Sequence, residues 1–184
     1  MDPIVFGIDV LATLTLIGGV IAVALVIMVL WESLIGKRTS LMHWISMHAL
    51  GLMLIVALTA TLGSLFLSEI AGWTPCLLCW YQRIVMYPQT VILALAFWRK
   101  DRNVAIYILV LSLIGLLIAA GHYGEQIWAM LHPADPLTPC DDTGVSCART
   151  YTFRYGYITV PMMALTAFVL NILGSTLLLR GRRS

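Results

Sequence analysis

Charge is what this 184-residue chain has least of: eleven Lys and Arg and nine Asp and Glu make up only 11% of it. A soluble domain carries about a quarter charged residues, so this scarcity, set beside 60% hydrophobic residues, excludes a soluble globular enzyme. Fourteen Gly and seven Pro are too few for a collagen-like chain, and the apolar content is too high for a disordered one. A basic leader is also missing. The first apolar stretch follows Asp2 and Asp9 and runs into Gly36-Lys37-Arg38 with no small-residue cleavage pattern, so it reads as a retained helix rather than a secretory signal. Lipid is the expected solvent, and no nucleic-acid partner is expected.

Five apolar stretches stand out, Val10 to Trp31, Trp44 to Leu67, Leu78 to Trp98, Val104 to Gly121 and Ile158 to Leu179, with lengths of 22, 24, 21, 18 and 22 residues. Each is close to the roughly 17 to 25 residues that a helix needs to cross the hydrocarbon layer. Among charged residues, only Arg83 falls inside a stretch. Because a lone ion in hydrocarbon costs at least about 2.5 kcal/mol, that position calls for a function.

Five crossings divide the loops into two sets. One set holds Lys37, Arg38, Arg99, Lys100, Arg102, Arg180, Arg182 and Arg183, and the other holds only Arg149 and Arg154. The positive-inside rule then predicts an outside N-terminus and a cytoplasmic C-terminus. Interfacial aromatics agree, with Trp31, Trp44 and Trp98 on the inner side and Trp73, Tyr81, Tyr123, Trp128, Tyr155 and Tyr157 on the outer. All four cysteines, Cys76, Cys79, Cys140 and Cys147, thereby face the oxidising side, where disulfides persist. The long loop 122–157 is the expected place for function. Its first part, His122 to His132, is expected to form a short helix in the interface with Ile127, Trp128, Met130 and Leu131 toward lipid, stopped by Pro133, Pro136 and Pro139.

The decapeptide Thr74-Pro75-Cys76-Leu77-Leu78-Cys79-Trp80-Tyr81-Gln82-Arg83 carries the chemistry. Thr74 can cap a helix and Pro75 can take its first position, which puts both cysteines in the opening turns. At about 100° per residue, Cys76, Cys79 and Arg83 share one face within about 60°. A helix N-terminus and a guanidinium both favour thiolate, the nucleophile of disulfide exchange. The bland alternative is a pair of small buried hydrophobes. The unique intramembrane Arg and a second outward cysteine pair favour redox chemistry. Cys140 and Cys147 flank a polar, turn-forming hexapeptide containing Gly144. Spacing alone leaves that pair open between a static staple and a redox couple, and four cysteines allow three connectivities.

CLLCWYQR, a crossing, a basic inner loop, a crossing ending at His122, a Pro-Cys in the next outer loop and a final crossing beginning Gly156-Tyr157-Ile158-Thr159-Val160-Pro161 together resemble the DsbB family of quinone-dependent disulfide-forming membrane proteins, and within it the BdbC-like branch. The resemblance covers roughly Trp44 to Leu179. It implies an all-α integral membrane protein with a four-helix bundle core over 44–184, outer loops 68–77 and 122–157, and one extra N-terminal transmembrane helix within 1–43. It further implies a bacterial inner-membrane thiol:quinone oxidoreductase. In that reading Cys76 and Cys79 are the quinone-proximal pair, with Cys79 facing ubiquinone or menaquinone, and Arg83 and His122 flank the quinone. Cys140 and Cys147 exchange with a soluble DsbA-like thioredoxin-fold thiol oxidase, Cys140 forming the mixed disulfide. The extra helix and a short spacer between Cys140 and Cys147 depart from the family pattern.

Two other functions compete. A vitamin K epoxide reductase-like quinone reductase would place its loop pair before the CxxC, the reverse of the order here. A membrane metal-binding protein using the four cysteines lacks the closed tetrahedral spacing of a structural site, and Arg83 would repel the cation, so no metal is expected. His43 and His48 do not share a helical face and do not read as ligands. His132, Asp141 and Asp142 read as solvated loop residues. The nine Met read as lipid-facing filler, Pro88 and Pro161 as helix kinks, and Asn171 as bonded to a neighbouring helix.

Overall fold

The computed structural model describes residues 2–36, 39–132 and 145–181. They form five helices: α1 Pro3–Ile35, α2 Ser40–Leu65, α3 Leu77–Arg99, α4 Ala105–Leu131 and α5 Val160–Arg180. A π-helical turn, Phe66–Ile70, extends α2, and a 3-10 turn, Arg102–Val104, leads into α4. Among the described residues the only β pairing is a single bridge between Arg154 and Ile158. The chain is an all-α integral membrane protein. Four helices are long and apolar enough to cross a bilayer by length and composition; α3 is the exception. Gln82, Arg83 and Gln89 interrupt its apolar surface, although its 23 residues cover about 34 Å.

The helices run past the apolar stretches because polar caps lie beyond them. Asp2 caps α1 by accepting from the Ile4 amide at 2.9 Å, and Gly36, at φ 71°, closes it in a left-handed turn. Thr39 caps α2 through the Met42 amide. Three expectations are corrected here. Thr74 and Pro75 do not open α3: Cys76 is its N-cap and Leu77 its first residue, while the Thr74 carbonyl accepts from the Tyr151 hydroxyl. His122 to Leu131 is not a separate interfacial helix but the last turns of α4, because no breaker precedes Pro133. Pro161 starts α5 rather than kinking it, where its missing amide costs nothing.

Small residues set the packing of α2 to α5. A Cβ on Gly115 would overlap the Phe168 ring, and one on Gly174 would press on Met53, so α4 and α2 approach α5 closely at these points. Met42, Met53 and Met86 are buried, which corrects their reading as lipid-facing filler: flexible thioethers fill gaps between helices here. In the bundle centre, Ser112 Oγ and Asn171 Nδ2 both donate to Gln89 Oε1, at 2.9 and 3.3 Å, tying α4 and α5 to α3. This bears out the expected interhelical bond of Asn171. Outside that core, α1 lies on α5 and buries only Ile8, Ala12, Gly18 and Ala22. Its N-terminal end is pinned by Asp9 to Arg154 at 3.0 Å and by Thr13 to the Tyr155 hydroxyl at 2.9 Å.

Candidate functional site

The site is built where α3 begins, α4 ends and the segment after residue 144 returns toward α5. Cys76 caps α3 and Cys79 sits one turn in, so the two sulfurs lie 3.3 Å apart, with the Cys76 thiol donating. That closeness follows from CxxC spacing at a helix N-terminus. Cys76 is 4% exposed, and a third buried cysteine, Cys147, stands beside it, its backbone carbonyl sharing His122 Nε2 with the Cys76 sulfur. Cys140 lies outside the described residues. Cys76, Cys79 and Cys147 are unbridged.

His122, 2% exposed on α4, joins these groups. Its Nε2 lies 3.7 Å from Cys76 Sγ and 3.1 Å from the Cys147 carbonyl, and its Nδ1 lies 3.0 Å from Gln82 Nε2. With the Gln82 amide donating to Nδ1, the proton belongs on Nε2, aimed at the Cys147 carbonyl and the Cys76 sulfur. Gln126, one turn along α4, donates to the Arg149 carbonyl at 3.2 Å. Tyr151 stacks on Trp73 at 5.0 Å and lies 4.8 Å under the Arg149 guanidinium. These contacts dock the Cys147 segment onto the mouth of α3. Burial, followed by its hydrogen bond to Cys76, pushes the Cys147 thiol up to about 12.

Arg83 lies one turn beyond Cys79 on the same face, as its spacing predicts. Its guanidinium donates to the Ser64 carbonyl at 3.0 Å and lies 5.3 Å from the Trp80 ring centre. Ser64 stands in the last turn of α2, just before the π-helical turn, and its hydroxyl also accepts from Tyr87 at 3.3 Å. The ion is therefore held by a carbonyl and an aromatic face, with no carboxylate partner among the described residues. A cavity of about 380 Å³ opens beside it, lined at this end by Cys76, Cys79, Arg83, His122 and Gln126 and elsewhere by apolar residues of α1, α2 and α5. Its size falls within the range of small-molecule sites.

The sequence model of the disulfide bond formation protein DsbB family matches residues 46–177, a span that begins after α1 and contains Cys76, Cys79, Arg83, His122, Gln126 and Cys147. The chain belongs to the DsbB family. Disulfide bond formation protein C of Bacillus subtilis is 44% identical over 130 residues, 71% of this chain and 91% of the relative. The probable disulfide formation protein C of Halalkalibacterium halodurans is 44% identical over 126 residues, 68% of this chain and 89% of the relative. A probable disulfide formation protein of Coxiella burnetii is 38% identical over 113 residues. No solved structure matches. Membership in the DsbB family makes this chain a thiol-oxidising membrane protein, and the resemblance read from CLLCWYQR and the later Pro-Cys is borne out.

Of the residues the DsbB-like motif singles out, Cys76, Cys79, Arg83, His122 and Cys147 converge. Gln82, Glu125 and Gln126 were not anticipated. Gln82 is a polar residue in an apolar run, a signal overshadowed by the adjacent Arg83. Glu125 and Gln126, both buried, were hidden by the expectation that their segment lies in the interface. Cys76 Sγ, Cys79 Sγ and a His122 ring nitrogen lie within 4.8 Å of one another, a grouping able to hold a metal ion that cysteine spacing alone did not suggest.

Proposed function

We propose that this DsbB-family protein passes two electrons from an extracytoplasmic thioredoxin-fold thiol oxidase, through Cys140 and Cys147 and then Cys76 and Cys79, to a membrane quinone. The observation that carries the reading is the position of Cys76, which lies 3.3 Å from Cys79 on the cavity side and shares His122 Nε2 with the Cys147 carbonyl on the loop side. A partner thiolate attacks Cys140 of a Cys140–Cys147 disulfide, and the partner's second thiol then closes its own disulfide, leaving two thiols on this chain. Cys147 attacks Cys76 of the Cys76–Cys79 disulfide, and Cys140 resolves the bond to restore the loop disulfide. Cys79 is left as the thiolate beside Arg83. Each cycle moves two electrons and two protons, and each exchange needs a free thiolate and an accessible sulfur.

The residues around the cavity fit a quinone. Apolar walls suit a ring and a hydrocarbon tail, Arg83 is a donor for a carbonyl oxygen, and Gln126 Oε1 is buried with no partner among the described residues, leaving an acceptor for a quinol hydroxyl. The quinone supplies a two-electron, two-proton sink when bound. The chain's own task is to hold the Cys79 thiolate and its counter-charge in a low-dielectric site and to keep His122 oriented through Gln82. The division of basic loops supports an extracytoplasmic face of a bacterial inner membrane for this end of the bundle. The extra helix within 1–43 would be an addition to a functional unit over 44–184.

The grouping of Cys76, Cys79 and His122 favours a second reading, a three-donor metal site. Arg83 weighs against it, since a guanidinium lining the same cavity opposes a cation. One experiment separates the two. A partner oxidase lacking its second active-site cysteine is expected to accumulate a mixed disulfide with Cys140 of the otherwise intact chain, visible on non-reducing gels and lost in Cys140→Ser, while the purified wild-type protein yields extractable quinone. Stoichiometric metal without quinone, and no mixed disulfide, would replace the relay with the metal reading.

A further inference from the structure

We propose that α1, the helix that precedes the family-matched span, forms one wall of the cleft that takes the hydrocarbon tail of the quinone, so that this chain holds the tail between α1, α2 and α5. The inference rests on the quinone reading above. It starts from the cavity, whose lining does not end at the cysteines: Leu11, Leu14, Thr15, Gly18 and Ile21 of α1 contribute to it. Their spacing of three and four residues puts them on one stripe, which runs about 15 Å from the level of Leu11 to that of Ile21.

Two close approaches make α1 a wall. Near the cysteine end, a Cβ on Gly63 of α2 would fall 2.7 Å from Leu11 Cδ2; further along, a Cβ on Gly18 would fall 3.2 Å from both Leu170 and Thr166 of α5. The helix therefore lies along α5 and meets α2 near Gly63, with the cavity between them. The polar groups along this wall are already used. Thr15 donates to the Leu11 carbonyl at 2.8 Å and Thr166 to the Met162 carbonyl at 3.0 Å, so both present methyl groups to the cavity. No charged residue lies between Val10 and Trp31. An extension with mostly apolar walls, continuous with a polar head site, suits a hydrocarbon tail attached to the ring.

The test compares a long-tailed quinone with a tailless one bearing the same ring, using the full chain in vesicles. Thr15→Trp, which fills the cleft from α1, is expected to raise the ratio of the long-tail KM to the tailless KM about tenfold, the size of effect expected when a few buried methylenes lose their site. The double variant Leu14→Ala, Ile21→Ala, which widens the cleft and needs no added bulk to fit, should raise the same ratio severalfold. Val20→Trp, which sits on the exposed side of α1 outside the cavity, should leave it unchanged. An unchanged ratio in both cleft variants, or equal rises for both quinones, overturns the proposal and leaves bilayer lipid as the occupant. If the wild-type protein oxidises its partner but reduces neither quinone, the underlying quinone reading fails instead.

Discussion

α1 spans 33 residues, has no charge between Val10 and Trp31, and buries four of its residues; α3 spans 23, carries Arg83 within it, and buries Gln82 and Gln89 along with its apolar contacts. The two helices solve opposite problems in the same bundle. A helix that mostly faces lipid must be apolar all round, whereas a helix that faces protein on several sides can carry polar groups because its neighbours satisfy them. Gln82 meets His122, Gln89 meets Ser112 and Asn171, and Arg83 meets the Ser64 carbonyl, so each of these three residues of α3 has a partner on another helix. High hydropathy marks where the membrane is in this protein, and its local loss marks where the chemistry is.

If that contrast is right, α3 variants at its cysteine end should abolish turnover while α1 tolerates loss of its Asp9 anchor. The largest expected effect is that of Cys79→Ala, which should lower quinone-dependent oxidation of the partner at least about a thousandfold. Exchange between the partner and the loop pair should persist, as read by non-reducing gels. Normal turnover in this variant would move the cavity-facing role away from α3. Arg83→Ala should lower turnover by about a hundredfold with the fold retained, and Arg83→Lys should recover only part of it, because a point charge lacks the planar fork that engages the Ser64 carbonyl. Steady-state kinetics beside a thermal melt checks both.

The cysteine end of α3 also governs Cys147. With its thiol pushed up to about 12, the reduced protein holds little thiolate at neutral pH. Alkylation of reduced Cys147 should therefore climb about tenfold per pH unit through pH 9 with no plateau, where an ordinary thiol of pKa about 8.5 would begin to level off. A plateau near pH 8.5 would show that Cys147 is not buried against Cys76. The smallest effect belongs to α1. Asp9 and Arg154 are both nearly half exposed, and exposed ion pairs contribute only about 0 to 1 kcal/mol. Asp9→Asn should leave turnover unchanged within about twofold and shift the melting temperature by little; a large loss of activity would mean that α1 orients the redox loop directly.

Much of this was readable from residue order, and the reason is local. Apolar runs of membrane length give five helices because a backbone in lipid must satisfy its own hydrogen bonds. The meeting of Cys79 with Arg83 follows from helical periodicity, which needs no tertiary information. The same runs could not reveal that α4 continues unbroken through His122 to Leu131, since a polar helical extension and an interfacial helix have similar composition. Nor could they reveal that methionines fill the core, because Met suits both lipid and protein contacts.

What the tertiary structure alone decided are the contacts between distant segments. His122 and Gln82 are 40 residues apart, and His122 and the Cys147 carbonyl 25, yet they form one hydrogen-bonded group. Their encounter depends on how α3 and α4 pack and on the return of the loop, not on any spacing within one helix. The place of α1 against α5 and α2 is of the same kind. Its sequence makes it a membrane helix and nothing more, because a uniformly apolar surface is equally content against lipid or protein; the small residues Gly18 and Gly63, which let neighbouring helices come close, give it a position.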